Sequence, residues 1–294
     1  MSTLLLQSVL AGLVNGFVYA LIGIGLAVIF RGSRIINAMQ GEFAVVGAIV
    51  AVLLVEKLSW LHSLSVVAGI AAAMVIGAAV ELFFVRPMER RNPGEEGHLL
   101  LTIGLALAFS AGVLVFAGRE PHLLPPFGQG RLLEIGGATL PEHAVYLISI
   151  ALLTVVALQL FYKRTHFGLS MLAASSDADG ASSVGINVAL MRTSTFAIGG
   201  GLGAMAGLLV APLVPISYES GLVLTLKGAA AAILGGLSNP KGAVVGGLVL
   251  GLAESLAIVG VSSGYKDVVA MLLLIAVMIV FPHGLLAGAQ RKGG

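Results

Sequence analysis

Few residues in this chain could do chemistry in an apolar environment, and they lie far apart. The run Asn37-Ala38-Met39-Gln40-Gly41-Glu42-Phe43 is a polar interruption just inside an apolar region, and Lys227 and Glu254 each stand within an apolar stretch. An ionisable group in such a place is costly to desolvate, so it marks either a pathway or a paired structural contact. Asn37, Gln40, Glu42, Lys227 and Glu254 are therefore the candidate pathway or intramembrane polar residues, with a helix–helix hydrogen bond as the equal alternative for Glu254. Glu81, about one turn before Arg86, is expected to snorkel to the inner interface.

Bond-making chemistry finds little to work with. His62, His98, His122, His143, His166 and His283 have no paired spacing and fall at predicted helix ends or in loops, where interfacial solvation explains them better than metal ligation or acid–base work. There is no cysteine, which removes disulfides, thiolate zinc sites and cysteine nucleophiles. The nearest approach to a P-loop, Gly235 to Gly242, has Pro240 where a glycine should precede Lys241 and no Ser or Thr after it. Gly201, Gly203 and Ala206 match a dinucleotide fingerprint in spacing alone, inside an apolar helix with no strand before it. No serine has the strand–turn–helix setting of a nucleophile elbow. No catalytic group, no metal and no cofactor bound by this chain are expected.

The elements that must position the polar residues follow from composition. Of 294 residues 58% are hydrophobic and 10% charged, against about 25% charged in soluble domains. Such a chain cannot cover a soluble surface. At about 20 apolar residues per crossing, the length suggests an all-α polytopic transmembrane bundle of about eight or nine membrane segments in a single domain. The apolar stretches fall near 4–30, 43–55, 61–85, 98–118, 143–162, 193–216, 222–238, 242–260 and 268–286. The first reads as a retained span, without a cleavage site. Segments 43–55 and 222–238 are short, and either could be broken or re-entrant, which is tolerated when buried in protein or lining a cavity. The net charge of +2 does not indicate nucleic-acid binding, because the basic residues are scattered beside apolar runs.

With the N-terminus outside and nine crossings, inner loops hold eleven basic residues, Arg31, Arg34, Arg86, Arg90, Arg91, Lys163, Arg164, Arg192, Lys241, Arg291 and Lys292, against four outside, Lys57, Arg119, Arg131 and Lys266. Glycines four apart, Gly12/Gly16, Gly199/Gly203/Gly207, Gly242/Gly246 and Gly247/Gly251, make small-residue faces for close helix packing in lipid or at a subunit interface. The long inner loop, 163–192, can form a short helix over 169–184 ended by Gly185 as a left-handed cap. It suits docking to a cytoplasmic partner, with Asp177 and Asp179 fixing register; a solvated connection is the alternative.

The stretch from Asn37 to Phe43 with Gly47, Arg86-Pro87, the loop from Phe167-Gly168 to Gly185-Ile186-Asn187, and the run Leu234-Gly235-Gly236-Leu237-Ser238-Asn239-Pro240-Lys241-Gly242-Ala243 together resemble the branched-chain amino acid ABC transporter permeases. Gly251-Leu252-Ala253-Glu254, Tyr265-Lys266-Asp267 and Pro282-His283-Gly284-Leu285 continue the resemblance, which covers nearly the whole chain and is greatest to the shorter of that system's two permease subunits. It implies a bacterial inner-membrane subunit paired with a second homologous permease, two cytoplasmic ATPase subunits that carry the ATP and Mg, and a periplasmic substrate-binding protein. It further implies that Phe167, Gly168, Asp177, Ala181, Gly185 and Ile186 belong to the coupling segment that meets the ATPase. The binding protein would dock on 119–142, with its Arg119, Glu120, Arg131, Glu134 and Glu142. One departure concerns substrate: Gln40 stands where such permeases commonly have His before Gly-Glu. Branched-chain amino acids are the default, urea, short amides or aromatic acids the alternative. An ion-gradient-driven secondary transporter is a rival that would need inverted repeats, of which none is evident.

Overall fold

The computed structural model describes residues 2–91, 94–237, 239–260, 266–280 and 284–285. In chain order the elements are α1 (Ser2–Ser33), α2 (Gln40–Leu58), α3 (His62–Val80) running through a π-helical turn (Glu81–Val85) into α4 (Arg86–Glu89), and α5 (Gly94–Ala117). A hairpin of β1 (Leu132–Ile135) and β2 (Ala138–Pro141) follows. Then come α6 (Glu142–Arg164), α7 (His166–Ser176), α8 (Ala178–Ser183), α9 (Val188–Val210), α10 (Ser220–Gly235), α11 (Pro240–Gly260) and α12 (Lys266–Val280). Among the described residues, six helical stretches are long and apolar enough to cross a membrane: Thr3–Ser33, His62–Glu89, Glu96–Ala117, Glu142–Arg164, Val188–Val210 and Pro240–Val259. α2 has Glu42, Glu56 and Lys57 in its 19 residues, and α10 and α12 are shorter, with 16 and 15.

Helices in lipid gain little from the hydrophobic effect on pairing, so close backbone approach must supply the attraction. α1 lies at the centre and meets α11, α10 and α9. A Cβ added to Gly16 would stand 2.9 Å from the Gly247 carbonyl oxygen, and one on Gly12 would stand 3.0 Å from that of Gly251. Gly242 and Gly246 face Gly235 and Ala231 of α10 in the same way, while Gly203 and Gly207 face Phe43 and Ala44 of α2. The small-residue faces thus meet one another within this bundle. α3, α5, α6 and α12 are peripheral and turn large apolar side chains such as Val75, Phe116, Leu153 and Ile279 outward.

Several boundaries differ from those read in the sequence. The polar interruption at Gln40 does not precede a helix starting at residue 43; it is the first turn of α2, where the Gln40 side chain and the Gly41 N–H find partners inside the protein. α9 starts at Val188, five residues before its expected start, capped by Asn187 Oδ1, which accepts from Leu190 N at 3.0 Å. The helix expected over 169–184 is two helices, broken at extended Asp177 (φ −149°). A hairpin interrupts the all-α pattern: Gly136 and Gly137, with φ of +58° and +84°, form its two-residue turn, a glycine pair that such turns favour. Gln7 clamps it to α1, donating to the Thr139 carbonyl at 3.0 Å and accepting from its N–H at 2.8 Å. Ser238, Tyr265, Pro282, His283, Arg291, Lys292 and, in the ninth segment, residues 281–283 and 286 lie outside the described residues.

Candidate functional site

Residues 34–39 carry the chain from the end of α1 back into the bundle without helical structure, starting at Arg34 with φ +60°. Irregular backbone there needs internal partners for every polar group, and neighbouring side chains supply them. Thr102 Oγ1 of α5 accepts from Ala38 N at 3.1 Å, and Asn37 Oδ1 accepts from Met39 N at 3.2 Å. Thr225 Oγ1 of α10 accepts from Gly41 N at 2.8 Å, capping α2 from another helix. Gln40 Nε2 donates to the Gly199 carbonyl of α9 at 2.9 Å, and Gln40 Oε1 accepts from Asn37 Nδ2 at 3.3 Å. The Gln40 amide packs directly on Gly25. At 1.5 Å rise per residue, that level is about 12 Å in from the end of α1 at Ser33.

From this point a cavity of about 460 Å³ opens between α2, α5 and α10. Its walls are mainly apolar, including Ile36, Ile103, Leu107, Leu222 and Leu226, while Asn37, Glu42, Ser110, Tyr218, Glu219 and Thr225 add polar groups. Glu42, in the first turn of α2, is 2% exposed, and its carboxylate lies where a side chain on Gly221, in the first turn of α10, would be. Two positive helix ends thus face one carboxylate. Its Oε2 has no hydrogen-bond partner among the described residues. Gln40 is fully buried behind this wall and does not line the cavity.

Lys227 and Glu254 are brought together. The Lys227 ammonium is 3.0 Å from Glu254 Oε1 and donates to Oε2 at 3.2 Å, and the Tyr19 hydroxyl donates to the same Oε2 at 2.6 Å. This is a paired contact joining α1, α10 and α11. Lys227 and Glu254 line a further cavity of about 220 Å³, and Tyr19 and Lys227 line another of about 450 Å³.

Glu81 does not snorkel. It is fully buried and holds cations from two elements: Arg86 Nη2 at 2.8 Å and Arg192 Nε at 3.0 Å, with the Thr193 hydroxyl donating at 2.6 Å. The cause is the π-helical turn. Residues five apart point about 140° apart around an α-helix, whereas a turn closed from residue i to i+5 brings them to one side. Sequence reasoning missed this node because its spacing is irregular and its partners Arg192 and Thr193 lie over a hundred residues away. His143 is likewise not an interfacial histidine. It is buried, with Nε2 2.7 Å from the Leu209 carbonyl and Nδ1 accepting from Phe127 N at 3.2 Å, so it ties the post-α5 loop to α9.

α7 and α8 pack over the ends of α1, α6 and α9, with Met171, Ala174 and Ala181 in a shared apolar cluster. Gly168 is buried against the Phe161 carbonyl, and Ile186 is half-buried. Phe167, Asp177 and Gly185 are exposed. Asp177 Oδ1 accepts from Gly180 N at 2.9 Å as the cap of α8, and Thr165 Oγ1 accepts from Gly168 N at 3.0 Å as the cap of α7. Gly185 (φ +86°) donates to the Ser182 carbonyl and Ile186 to that of Ala181, both at 3.0 Å, closing α8 with a Schellman motif. On the opposite side, Glu142 accepts from the N–H groups of Gln129 and Arg131 at 3.2 and 3.4 Å, so it organises its own loop.

No group of three or more metal-ligating side chains occurs among the described residues. Long apolar helices, buried charges held in pairs and a largely aliphatic cavity entered by Glu42 are the features of a multi-pass membrane permease. The chain belongs to the family described as branched-chain amino acid transport system, permease component, whose model matches residues 8–278. It is 31% identical to the high-affinity branched-chain amino acid transport system permease protein LivH of Escherichia coli (strain K12), over 96% of this chain and 95% of that one. It is 28% identical, with the same coverage, to the corresponding permease protein BraD of Pseudomonas aeruginosa. To a probable branched-chain amino acid transport permease protein of Methanocaldococcus jannaschii it is 25% identical, over 92% of this chain and 89% of that one. No solved structure matches the chain.

Proposed function

We propose that this chain is one permease subunit of a binding-protein-dependent ABC importer in a bacterial inner membrane, carrying branched-chain amino acids or related small hydrophobic or amide substrates by alternating access. The observation that supports it most directly is the cavity between α2, α5 and α10, whose largely aliphatic walls carry the carboxylates of Glu42 and Glu219 and the amide of Asn37. Such a lining suits a small solute with an apolar body and a polar end. The printed names of the Escherichia coli and Pseudomonas aeruginosa relatives point to the same substrates. Residue 40 would act on that wall from behind, through Asn37, and not by touching the solute.

In this reading α7 and α8 face the cytoplasm. Met171, Ala174 and Ala181 anchor them to the bundle, while Phe167, Asp177, Asp179 and Gly185 meet one of two ATPase subunits. ATP and Mg are held by those subunits. A second homologous permease completes the pathway, and a periplasmic binding protein delivers the solute at the hairpin end. ATP can shift the bundle only by binding its two docked arrangements unequally. The test is L-leucine uptake into proteoliposomes that hold the complete transporter with its binding protein. ATP-dependent accumulation is expected; uptake by this chain alone on an ion gradient, or no leucine uptake by the complete transporter, would overturn the reading.

A further inference from the structure

Three buried glutamates can be compared within one bundle. Glu81 holds two arginines and Glu254 holds a lysine. Glu42, equally buried at 2% exposure, is in no ion pair among the described residues, and its Oε2 has no hydrogen-bond partner there. A desolvated carboxylate is expensive unless a cation meets it. Gly221 leaves room for the carboxylate but offers no side-chain donor. The two helix ends beside Glu42 offer partial positive charge but no full cation.

The neighbourhood limits what the missing cation can be. A bare divalent ion would want about six oxygen ligands, and no group of three metal-ligating side chains occurs among the described residues; the cavity's second carboxylate, Glu219, accepts from the Tyr218 hydroxyl at 2.7 Å. A proton alone would need no cavity, yet about 460 Å³ bounded largely by aliphatic side chains opens from the carboxylate. A primary ammonium on an aliphatic body satisfies both features at once. It gives Glu42 a charge-assisted hydrogen bond and lays hydrocarbon against Ile103, Leu107, Leu222 and Leu226. Two sources carry that chemistry, a free amino acid and an aminophospholipid. Depth favours the first, because Glu42 follows Gln40, which packs at Gly25, about 12 Å in from the end of α1.

We propose that Glu42 holds the α-ammonium of the transported amino acid while the cavity between α2, α5 and α10 holds its aliphatic side chain. The assignment rests on the permease reading above. The chain has no cysteine, so a Leu107→Cys variant places a single thiol of this subunit in the cavity wall. Its alkylation is followed on this subunit by mass spectrometry in the complete transporter, in nanodiscs of phosphatidylglycerol alone. L-leucine and 3-methylbutylamine are expected to protect the thiol, and 4-methylpentanoate, which lacks the ammonium, is not. Adding Glu42→Gln should raise the concentration needed for protection about tenfold, with Glu42→Asp intermediate. If Glu42→Gln does not assemble, Glu42→Asp carries the comparison.

Equal protection with and without the Glu42 substitution, equal protection by 4-methylpentanoate, or no protection by any of the three compounds would overturn the proposal. Protection that arises only when phosphatidylethanolamine is added would overturn the amino acid as occupant. The two readings fail separately. Leucine uptake that continues at the unsubstituted rate in Glu42→Gln removes this inference alone, whereas a transporter that takes up no leucine removes the permease reading.

Discussion

Glu81 and Glu254 show how a charge survives inside an apolar bundle: each is matched by cations on neighbouring helices, so each ties helices together. Removing one partner from such a pair costs more than the pair contributes, because the other charge is left desolvated. Lys227→Met should therefore destabilise the purified protein by about 3 kcal/mol, and Lys227→Met with Glu254→Leu by less. Thermal unfolding in detergent checks this, and a double variant less stable than the single one would contradict it. Glu81→Gln keeps the shape but leaves Arg86 and Arg192 facing each other, with an expected loss of similar size, about 3 kcal/mol. Polarity within apolar segments was legible in the sequence for Glu42, Lys227 and Glu254. The pairing of Lys227 with Glu254 was not, because Tyr19, Lys227 and Glu254 come from three helices far apart in the chain.

Helix ends were partly legible. Thr165, Asp177 and Asn187 are cap residues by type, and each accepts a backbone N–H at a helix start. Gly185 ends its helix in the left-handed conformation the sequence suggested. The break at Asp177 was hidden because 169–184 reads as one continuous helix-forming stretch, while the cap at 177 favours a new start. The start of α2 was hidden for a different reason: its cap comes from Thr225, in another helix. Gly185 has open space around it, so a large side chain there meets only the docking partner, with about 1 kcal/mol of backbone strain. Gly185→Trp should lower ATP-driven leucine uptake about tenfold while leaving the binding protein's own leucine affinity unchanged. Uptake and hydrolysis at unsubstituted rates would remove 163–192 from the coupling role.

For the molecule as a whole, composition sufficed for a helical membrane bundle, and the family supplied its kind. By the bias of basic residues, α7 and α8 are expected on the cytoplasmic side. Single cysteines at Asp179 and Gln129 should therefore react with an impermeant thiol reagent from opposite faces of the membrane, Asp179→Cys from inside and Gln129→Cys from outside. Reaction from the same face would invert or break the topology. The central pair of helices also has a consequence for how the chain is made. α1 emerges first, but its glycine face is covered by α11, and Ser8 donates to the Ser255 carbonyl across 247 residues of sequence. At ordinary synthesis rates, α1 waits on the order of tens of seconds for that partner. Until then the glycine face of α1 has no α11 to cover it, so a chain stopped before Pro240 lacks the contact at the centre of the bundle.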